Sequence, residues 1–318
     1  MNKRYAITIL LLTYNICNAQ NLVPNGDFEL YFNCPSVISN FQGYVSNWTN
    51  PSTGAAAGTP DYYNQCSTGA MGVPVNHAGT QDAHSGVAYS GIVIARENSN
   101  TDFREYMEVQ LTTTLSADTC YHFEMYINLA GFSEYNSDAI GAYFSNNLIS
   151  GFTGIDTLPY IPQISNTPGA MPDSVNWMLV QGDYAAIGGE NYLLIGNFKS
   201  HDYTTTSLFN GANTINAAYV FIDDVSLTKT TCSTGINELN ESNAVRVYPN
   251  PSSGVLTVET KSNDLAEIKI YDPASRLLLR KQFRNSSSVD IGNLSPGIYI
   301  YELRTEAGVM IQGKVVKD

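Results

Sequence analysis

Acidic side chains near both ends of residues 20–230 could together bind a cation. Asp27 and Glu29 lie near the start of this region, and Asp223 and Asp224 lie near its end. Neighbouring carboxylates repel one another unless a cation or an arginine neutralises them. Calcium is a hard ion that binds carboxylate and carbonyl oxygens, and Asp82 or nearby loop carbonyls could complete its ligands. The alternative is that Asp223 and Asp224 accept hydrogen bonds from loop backbone amides.

Aromatic and amide side chains form a second candidate site, of the kind that binds sugars. Trp48, Tyr62 and Tyr63 lie in segments rich in glycine, proline, asparagine and threonine, and Asn64 follows directly. An exposed aromatic ring can stack on a sugar face while amides bond its hydroxyl groups. The alternative is that these large aromatic side chains pack in the core.

The sequence contains no recognisable catalytic motif. His84-Ser85-Gly86 is not part of a G-x-S-x-G nucleophile elbow, and the four histidines do not form an HExxH pair. A glycosidase needs two carboxyl groups at a defined separation, which spacing along the chain does not establish. The glutamates that remain open for such a role are Glu97, Glu105, Glu108, Glu124 and Glu134.

The charge of the chain changes abruptly near residue 244. Residues 20–243 contain 21 Asp and Glu against 4 Lys and Arg, and residues 244–318 contain 8 against 10. The net charges are therefore about −17 and +2, which predicts two different domains. A strongly acidic first domain disfavours nucleic acid and anionic membranes as partners.

The first 19 residues have the composition of a secretory signal peptide. Lys3 and Arg4 precede the short apolar run 6–12, and Cys17-Asn18-Ala19 approximates a small-x-small cleavage site. A lipoprotein signal with Cys17 as the modified residue is the alternative. No later stretch reaches 18 apolar residues, so we expect no transmembrane segment in the mature protein.

Four cysteines remain after the predicted leader: Cys34, Cys66, Cys120 and Cys232. An even number of cysteines in an exported chain favours disulfides, and four cysteines allow three pairings. We favour Cys34–Cys66 and Cys120–Cys232, because the second bond ties the last strand of the first domain to a middle strand. Free buried thiols are the alternative.

Alternating polar and apolar residues predict an all-β fold. Residues 104–111 and 120–129 alternate as half-buried strands do, and no segment keeps a helical apolar repeat for three turns. About eight strands joined by Gly, Pro and Asn loops fit an antiparallel jelly-roll sandwich over residues 20–230. The polar segment 231–243 reads as a linker. Seven short strands over 244–318 predict a small immunoglobulin-like β-sandwich.

Two segments of the first domain resemble a known type of module. Asn25-Gly26-Asp27-Phe28-Glu29 and Tyr219–Leu227 resemble the first and last strands of carbohydrate-binding jelly rolls with a galactose-binding-like fold. The residues between them, including His84-Ser85-Gly86, resemble a body module of exported Bacteroidetes proteins. The resemblance implies a structural calcium ion beside the acidic residues and a glycan or cell-surface ligand.

The last 75 residues resemble the type A C-terminal sorting domain of the Bacteroidetes type IX secretion system. The matching stretches are Tyr248–Gly254, Leu294–Tyr299 and Gly313–Asp318. Within them, the expected signal residues are Pro249, Asn250, Pro251, Gly254, Pro296, Gly297, Lys314 and Lys317. The alternative is an ordinary adhesion-type sandwich.

The resemblance implies two partners, the outer-membrane type IX translocon and its sortase, with Lys314 and Lys317 as candidate translocon contacts. It implies that the domain is removed in the linker, and that the body is secreted or attached to the outer-membrane surface. The sequence therefore predicts an exported, non-catalytic binding protein. A hydrolase acting on polysaccharide and a structural surface adhesin are the alternatives.

Overall fold

The structure is a computed structural model, and it describes ten stretches of the chain. They are residues 20–53, 58–97, 103–152, 157–158, 160–210, 215–232, 245–260, 265–272, 276–305 and 310–318. The predicted signal peptide and residues 233–243 of the predicted linker lie outside them. The chain divides into two compact units between Cys232 and Ser233. We call residues 20–232 the body and residues 245–318 the tail domain.

The body consists almost entirely of β-strands. Helix in its described residues is confined to α1 (Phe41–Tyr44) and a 3-10 turn at His201–Tyr203. None of the described helices has the length and apolar character needed to cross a bilayer. The strands are β1 (Trp48–Thr49), β2 (Asp61–Asn64), β3 (Val75–Asn76), β4 (Gly79–Thr80), β5 (Ala88–Ala95), β6 (Tyr106–Gln110), β7 (Cys120–Leu129), β8 (Tyr135–Ser137), β9 (Gly141–Ser145), β10 (Ile164–Ser165), β11 (Met178–Ala185), β12 (Tyr192–Gly196), β13 (Thr206–Leu208) and β14 (Ala218–Thr230).

Two five-stranded antiparallel sheets form the body. Sheet I has the order β11-β7-β14-β5-β2, and sheet II has the order β1-β6-β12-β9-β10. The short pairs β3–β4 and β8–β13 lie outside these sheets. Apart from β9 and β10, neighbouring strands in these sheets are not consecutive in the chain, as the crossing connections of a jelly roll require. The arrangement confirms the predicted all-β jelly-roll sandwich.

The core lies between the sheets and follows the period of two in each strand. On β7, the odd-numbered residues Tyr121 to Leu129 are buried in this core, whereas His122, Glu124 and Tyr126 are only half-buried. Each fully buried large apolar side chain stabilises the fold by ~1.5–3 kcal/mol. The alternation seen in the sequence therefore identifies the core-facing side of β7.

The first residues of the body lie against its closing strand, β14. The Asn21 side chain accepts a hydrogen bond from the Leu227 amide at 2.9 Å and donates one to the Val225 carbonyl at 3.1 Å. The Val225 amide donates to the Gly26 carbonyl at 2.8 Å. This places the segment that contains Asp27 beside β14, as the sequence predicts.

Two disulfides tie the body together. The structure contains Cys34–Cys66 and Cys120–Cys232, which is the pairing that we favoured from the sequence. The second bond joins the first residue of β7 to a residue two positions beyond the end of β14. It closes a separation of 112 residues. Cross-links over long separations remove the most conformational entropy from the unfolded chain.

Part of the outer face of sheet I is covered by loops. A second apolar cluster forms there, outside the main core, and it holds the connections after β2, β7 and β13 against the sheet. Its buried members are Tyr63, Met71, Ala78, Tyr89, Val93, Ala130, Ala217, Tyr219 and Phe221. This cover reaches β2, β5 and the first half of β14.

The tail domain contains the seven strands that the sequence predicts. They are β15 (Val245–Tyr248), β16 (Val255–Thr260), β17 (Leu265–Tyr271), β18 (Leu277–Arg284), β19 (Ser286–Asp290), β20 (Gly297–Thr305) and β21 (Met310–Lys317). One sheet has the order β15-β16-β19 and the other β18-β17-β20-β21. Apolar side chains from both sheets, including Leu256, Ile268, Leu303 and Val315, form a separate core.

The Pro249–Gly254 segment crosses to the edge of the last strand. The Asn250 side chain donates to the Lys314 carbonyl at 2.7 Å and accepts from the Val316 amide at 2.8 Å. Further along, the Ser252 amide donates to the Val316 carbonyl at 2.9 Å. A proline has no amide hydrogen, so the Asn250 side chain supplies the hydrogen bonds that a strand backbone would make.

Replacing Asn250 with alanine should lower the free energy of unfolding of the tail domain by about 1 kcal/mol, because two hydrogen bonds to β21 are lost. Urea unfolding of the full chain, with hydrogen exchange at Val316 as the local readout, measures this. Asn293→Ala, at an exposed loop position, is the control. Equal midpoints and equal exchange for the two variants would contradict the proposed role of Asn250.

Candidate functional site

The aromatic site predicted from the sequence is wrong, because its residues are buried. Trp48 is 2% exposed, and Tyr62 and Tyr63 are fully buried. The Trp48 indole donates to the Asn25 carbonyl at 2.9 Å, and the Tyr62 hydroxyl donates to the Phe28 carbonyl at 2.9 Å. Trp48 and Tyr62 pack in the main core and Tyr63 packs in the second apolar cluster, so none of the three rings can stack on a sugar.

Asn64, the fourth member of that set, is also buried. Its side chain donates to the Tyr62 hydroxyl at 2.8 Å and accepts from the Cys66 amide at 2.8 Å. The side chain therefore stabilises the turn after β2 next to the Cys34–Cys66 disulfide. It is not available to a ligand.

The Asp223 carboxylate holds the 84–86 loop against β14. It is buried, and its oxygens accept hydrogen bonds from the amides of His84 at 2.8 Å, Ser85 at 3.2 Å and Asp224 at 2.7 Å. Burial, followed by the charge of Asp224, raises the pKa of Asp223 to about 8. For Asp223, these contacts correspond to the alternative in which the acidic residues accept hydrogen bonds from loop amides.

Glu29 anchors the residues that follow this loop. Its carboxylate accepts the amide hydrogens of Val87 at 2.7 Å and Ala88 at 3.0 Å. The Glu29 side chain also lies directly against Gly86, where a Cβ atom would come within 2.1 Å of its carboxylate. Gly86 has φ +61°, a conformation that favours glycine.

The predicted calcium ligands do not converge in the structure. Asp27 and Asp82 are exposed, and the carboxylates of Glu29 and Asp223 face amide hydrogens. Within the described residues, no three acidic, histidine or cysteine side chains lie close enough to hold a metal ion. This donor set fits backbone capping better than it fits a calcium site.

His84, Ser85 and Asp224 do not form a nucleophile and base. His84 Nδ1 lies 2.5 Å from Asp224 Oδ2, and the Ser85 hydroxyl donates to Asp224 Oδ1 at 2.7 Å. The imidazole and the serine thus bind the same carboxylate rather than each other. Nucleophilic catalysis needs the base in contact with the hydroxyl group.

The part of sheet I that loops leave uncovered presents three rows of polar and half-buried side chains. Tyr126 pairs with Leu179, Glu124 with Gln181 and Ser226, and His122 with Asp183 and Thr228. All eight are half-buried or exposed. We call this surface the open sheet face, defined by Leu179, Gln181, Asp183, His122, Glu124, Tyr126, Ser226 and Thr228.

His122 joins two acidic side chains at one end of the open sheet face. Its Nδ1 lies 2.6 Å from Asp183 Oδ1, and its Nε2 lies 3.1 Å from Glu124 Oε1. The hydrogen bond to Asp183 is the main cause of a raised pKa of His122, and Glu124 adds to it. The pair of carboxylates therefore favours the imidazolium form and fixes the orientation of the ring.

Aromatic rings border the other end of this face. The His84 ring stacks on Tyr126 with centroids 3.6 Å apart, and Trp177 meets His84 edge-on at 6.0 Å. The Trp177 indole donates to the Asp82 carbonyl at 3.0 Å, which fixes the ring beside the 82–86 loop. Tyr126 and Trp177 are both half-buried, so they combine a packed side with an accessible one.

The glutamates with raised pKa values are sealed inside the body. Burial raises the pKa of Glu105 and of Glu108 to about 7 in each case. Glu105 accepts the amides of Thr59 and Val93, and Glu108 accepts the Ile149 amide. Both are buried, so a polysaccharide cannot reach them.

The exposed aromatic residues of the body are ones that sequence reasoning did not select. Tyr31 and Phe32 are 43% and 66% exposed, in an apolar loop that also exposes Leu30, Val37 and Ile38. The Asn25 side chain bonds both the amide and the carbonyl of Leu30, at 2.7 and 2.8 Å, which holds the loop in place. In the sequence, the apolar run Leu30-Tyr31-Phe32 before Cys34 is the feature that could have indicated this exposed loop.

Some of the expected signal residues of the tail domain make hydrogen bonds within the domain, and others are exposed to solvent. The Gly254 carbonyl accepts a hydrogen bond from the Ile291 amide, and the exposed Pro296 directly precedes the exposed Gly297, the first residue of β20. Lys314 is exposed, whereas Lys317 is only 8% exposed and donates to the Asp318 carbonyl. The predicted translocon contact is therefore less accessible at Lys317 than at Lys314 in the folded domain, and it stays a prediction for both.

Comparison with solved structures finds weak similarity to several β-rich domains. The CBM22-1 xylan-binding domain of Paenibacillus barcinonensis Xyn10C is 13% identical, with a TM-score of 0.33 over 59% of this chain and 88% of that one. The K1 cleaved adhesin domain of Lys-gingipain from Porphyromonas gingivalis W83 is 12% identical, with a TM-score of 0.29 over 58% and 92%. Similarity of this strength carries no argument about ligands.

A family model described as a secretion system C-terminal sorting domain matches residues 246–318. A search of curated protein sequences found no match. The matched range covers the tail domain from its first strand to Asp318. Residues 246–318 are therefore a type IX secretion sorting domain, and the protein is exported to the cell surface or the extracellular space.

Proposed function

We propose that the body is a non-catalytic module that binds a neutral glycan on the open sheet face. The observation that carries the proposal is the three-row surface of polar side chains on β11, β7 and β14, bordered by Tyr126 and Trp177. Strands place side chains more precisely than loops do. Adjacent strands and alternate residues make this surface about 10 Å by about 14 Å, enough for a short oligosaccharide.

The side chains of this surface suit hydroxyl groups. Gln181 supplies both donors and an acceptor, Ser226 and Thr228 supply hydroxyls, and Glu124 accepts. Sugar binding typically combines such groups with an apolar ring, and the accessible side of Trp177 or Tyr126 supplies one. The hydrogen bonds of His122 hold Glu124 and Asp183 in place before a ligand arrives.

The charge of the body defines the ligand class. Residues 20–243 contain only four basic residues, and one of them, Arg104, is fully buried. A surface with a net charge near −17 repels sulfated and uronic acid polymers. Neutral or amine-bearing glycans remain compatible with it.

A surface adhesin is the second candidate function. The apolar loop of Leu30, Tyr31, Phe32, Val37 and Ile38 favours it, since exposed apolar patches often mark protein contacts. A hydrolase has weaker support, because the carboxyl groups with raised pKa values are buried.

The tail domain would act with the outer-membrane type IX translocon and its sortase. In this proposal the domain docks during export and is then removed within residues 233–244. The opposite net charges of the tail and the body are consistent with separate roles.

Deleting residues 244–318 should abolish export while leaving the body folded, because the body has its own core and both disulfides. The body is expected to accumulate inside the cell, as measured by immunoblotting of cell and culture-fluid fractions. Full-length chain with an epitope after Gln20 is the control. Undiminished amounts outside the cell would contradict the sorting role.

Glycan binding should decrease at least tenfold when Glu124 and Gln181 are both replaced by alanine, because their hydrogen bonds to hydroxyl groups are lost. A glycan array followed by titration of the bound neutral oligosaccharide measures this. Thr113→Ala, an exposed position away from the face, is the control.

The same array should give equal binding with EDTA and with calcium, because the carboxylates of Asp223 and Glu29 are bonded to backbone amides. Calcium-dependent binding would restore the calcium site that the sequence predicts. Release of reducing sugar would favour the hydrolase, and binding only to cells or proteins would favour the adhesin.

His122→Gln should destabilise the body in acid and have little effect in alkali. The folded pKa of His122 lies above its unfolded value near 6.5, so its contribution is fully present below pH 6.5 and is lost as the pH rises through the folded pKa. Thermal unfolding between pH 5 and 9 measures the difference from the wild type.

Asp183→Asn should remove the same pH-dependent difference, since Asp183 is the main cause of the raised pKa of His122. Asp118→Asn, at an exposed turn, is the matched control and should leave the pH profile unchanged. A His122→Gln effect that is equal at pH 5 and pH 9 would show that the contact with the carboxylates does not depend on charge.

A further inference from the structure

We propose that the outer edge of β18 is a docking site for an extended, acidic and apolar segment of a partner chain, which adds to the sheet as a fifth strand. The inference rests on the sorting role of the tail domain, because a domain that directs export must contact another protein. It specifies which surface makes the contact and which chemistry the partner carries.

The two edges of the four-stranded sheet differ. At the β21 edge, the segment from Asn250 to Ser252 bonds to Lys314, Val316 and Asp318. At the opposite edge, β18 pairs with β17 alone among the described residues. A strand at an open edge presents backbone amides and carbonyls that an incoming strand can bond.

The side chains of β18 are unusual for a protected edge. Leu277 and Leu278 are 51% and 37% exposed, and only Phe283 in this eight-residue strand is buried. Edge strands that avoid pairing are usually short, charged, bulged or covered, whereas a long edge with exposed apolar groups is open to pairing. β18 carries charges at one end, but it is eight residues long and exposes two leucines at the other. Because exposed apolar side chains are stabilised by burial, the two adjacent leucines favour binding of a partner chain at this edge.

The charge of the strand selects the partner. Arg280, Lys281 and Arg284 follow the leucines and are all exposed. Arg280 forms a salt bridge with Glu267 at 2.6 Å and still keeps 61% of its side chain exposed. An incoming strand could place Asp or Glu side chains opposite these basic residues and apolar side chains opposite Leu277 and Leu278. Such a strand would complement both the charged end and the apolar end of β18.

A second copy of this chain is a poor occupant. Antiparallel pairing of β18 with itself would place Arg280 and Lys281 of one copy opposite the same residues of the other. Like charges directly opposite one another destabilise a strand pair. The edge therefore fits a different, acidic chain.

The binding test uses the full chain and a fluorescein-labelled peptide of eight residues that alternates valine with glutamate. Fluorescence anisotropy should show binding that weakens with added salt. Lys281→Glu combined with Arg284→Glu should weaken it at least tenfold. The milder pair Lys281→Gln and Arg284→Gln, with a smaller loss expected, keeps the test valid if the reversed charges unfold the domain.

A matched control separates the edge from the overall charge of the chain. Arg246→Glu combined with Lys229→Glu changes the charge equally at two exposed positions on β15 and β14, neither of which is an expected signal residue. It should leave peptide binding within twofold of the wild type. An equal loss in this control, or failure of the wild type to bind the peptide, would overturn the docking site.

Backbone pairing has its own readout. Binding of the peptide should slow hydrogen exchange of the β18 amides, and a peptide with proline at alternate positions should not bind, because proline cannot donate the hydrogen bonds of a strand. Unchanged exchange in β18 at a saturating peptide concentration would overturn the strand-addition mode.

Export by the native host distinguishes this proposal from the sorting role itself. The Lys281→Glu, Arg284→Glu chain should reach the culture fluid or cell surface at less than a tenth of the wild-type level, and the Arg246→Glu, Lys229→Glu chain at a level near wild type. If deletion of residues 244–318 stops export but the β18 variant is exported normally, the sorting role holds and the docking site is wrong.

Discussion

The body depends on the buried carboxylate of Asp223, which joins the closing strand to the loop that precedes β5. Burial and the neighbouring Asp224 raise the pKa of this group, while three amide hydrogens favour its ionised form. A buried acceptor with three donors is costly to remove, because each donor would then lack a partner. The contact fixes His84, and His84 in turn stacks on Tyr126. The hydrogen bonds of Asp223 therefore set the boundary between the covered and the open part of sheet I.

Much of the fold follows from patterns within the sequence. The alternation of residues 120–129 identifies both faces of β7, and turn residues separate the seven strands of the tail domain. The disulfide pairing followed from the expectation that the last strand lies beside a middle one. These features are local, or depend on one long-range contact between strands, so sequence patterns are sufficient to predict them.

The candidate site was harder to predict, because exposure depends on which loops fold back over a sheet. Trp48, Tyr62 and Tyr63 lie among loop-forming residues, and all four residues of β2 are nevertheless buried. His122 and Glu124 are visible in the sequence as the polar half of an alternating strand. Nothing in that pattern shows that their face stays open while the part next to β5 is covered by the 65–87 segment. The acidic cluster shows the same difficulty, since sequence proximity cannot tell whether a carboxylate meets a cation or an amide.

The position of Cys232 explains how the body can lose the tail domain without losing its closing strand. β14 lies between β7 and β5, and its C-terminal half pairs with β7. A strand end normally frays where the chain leaves the sheet. Here the Cys120–Cys232 bond holds that end to the start of β7, at the last residue of the compact unit. A cut anywhere after Cys232 therefore leaves β14 anchored. Because the open sheet face uses Ser226 and Thr228 from this same half of β14, the disulfide would also preserve the proposed binding surface in a body from which the sorting domain has been cut.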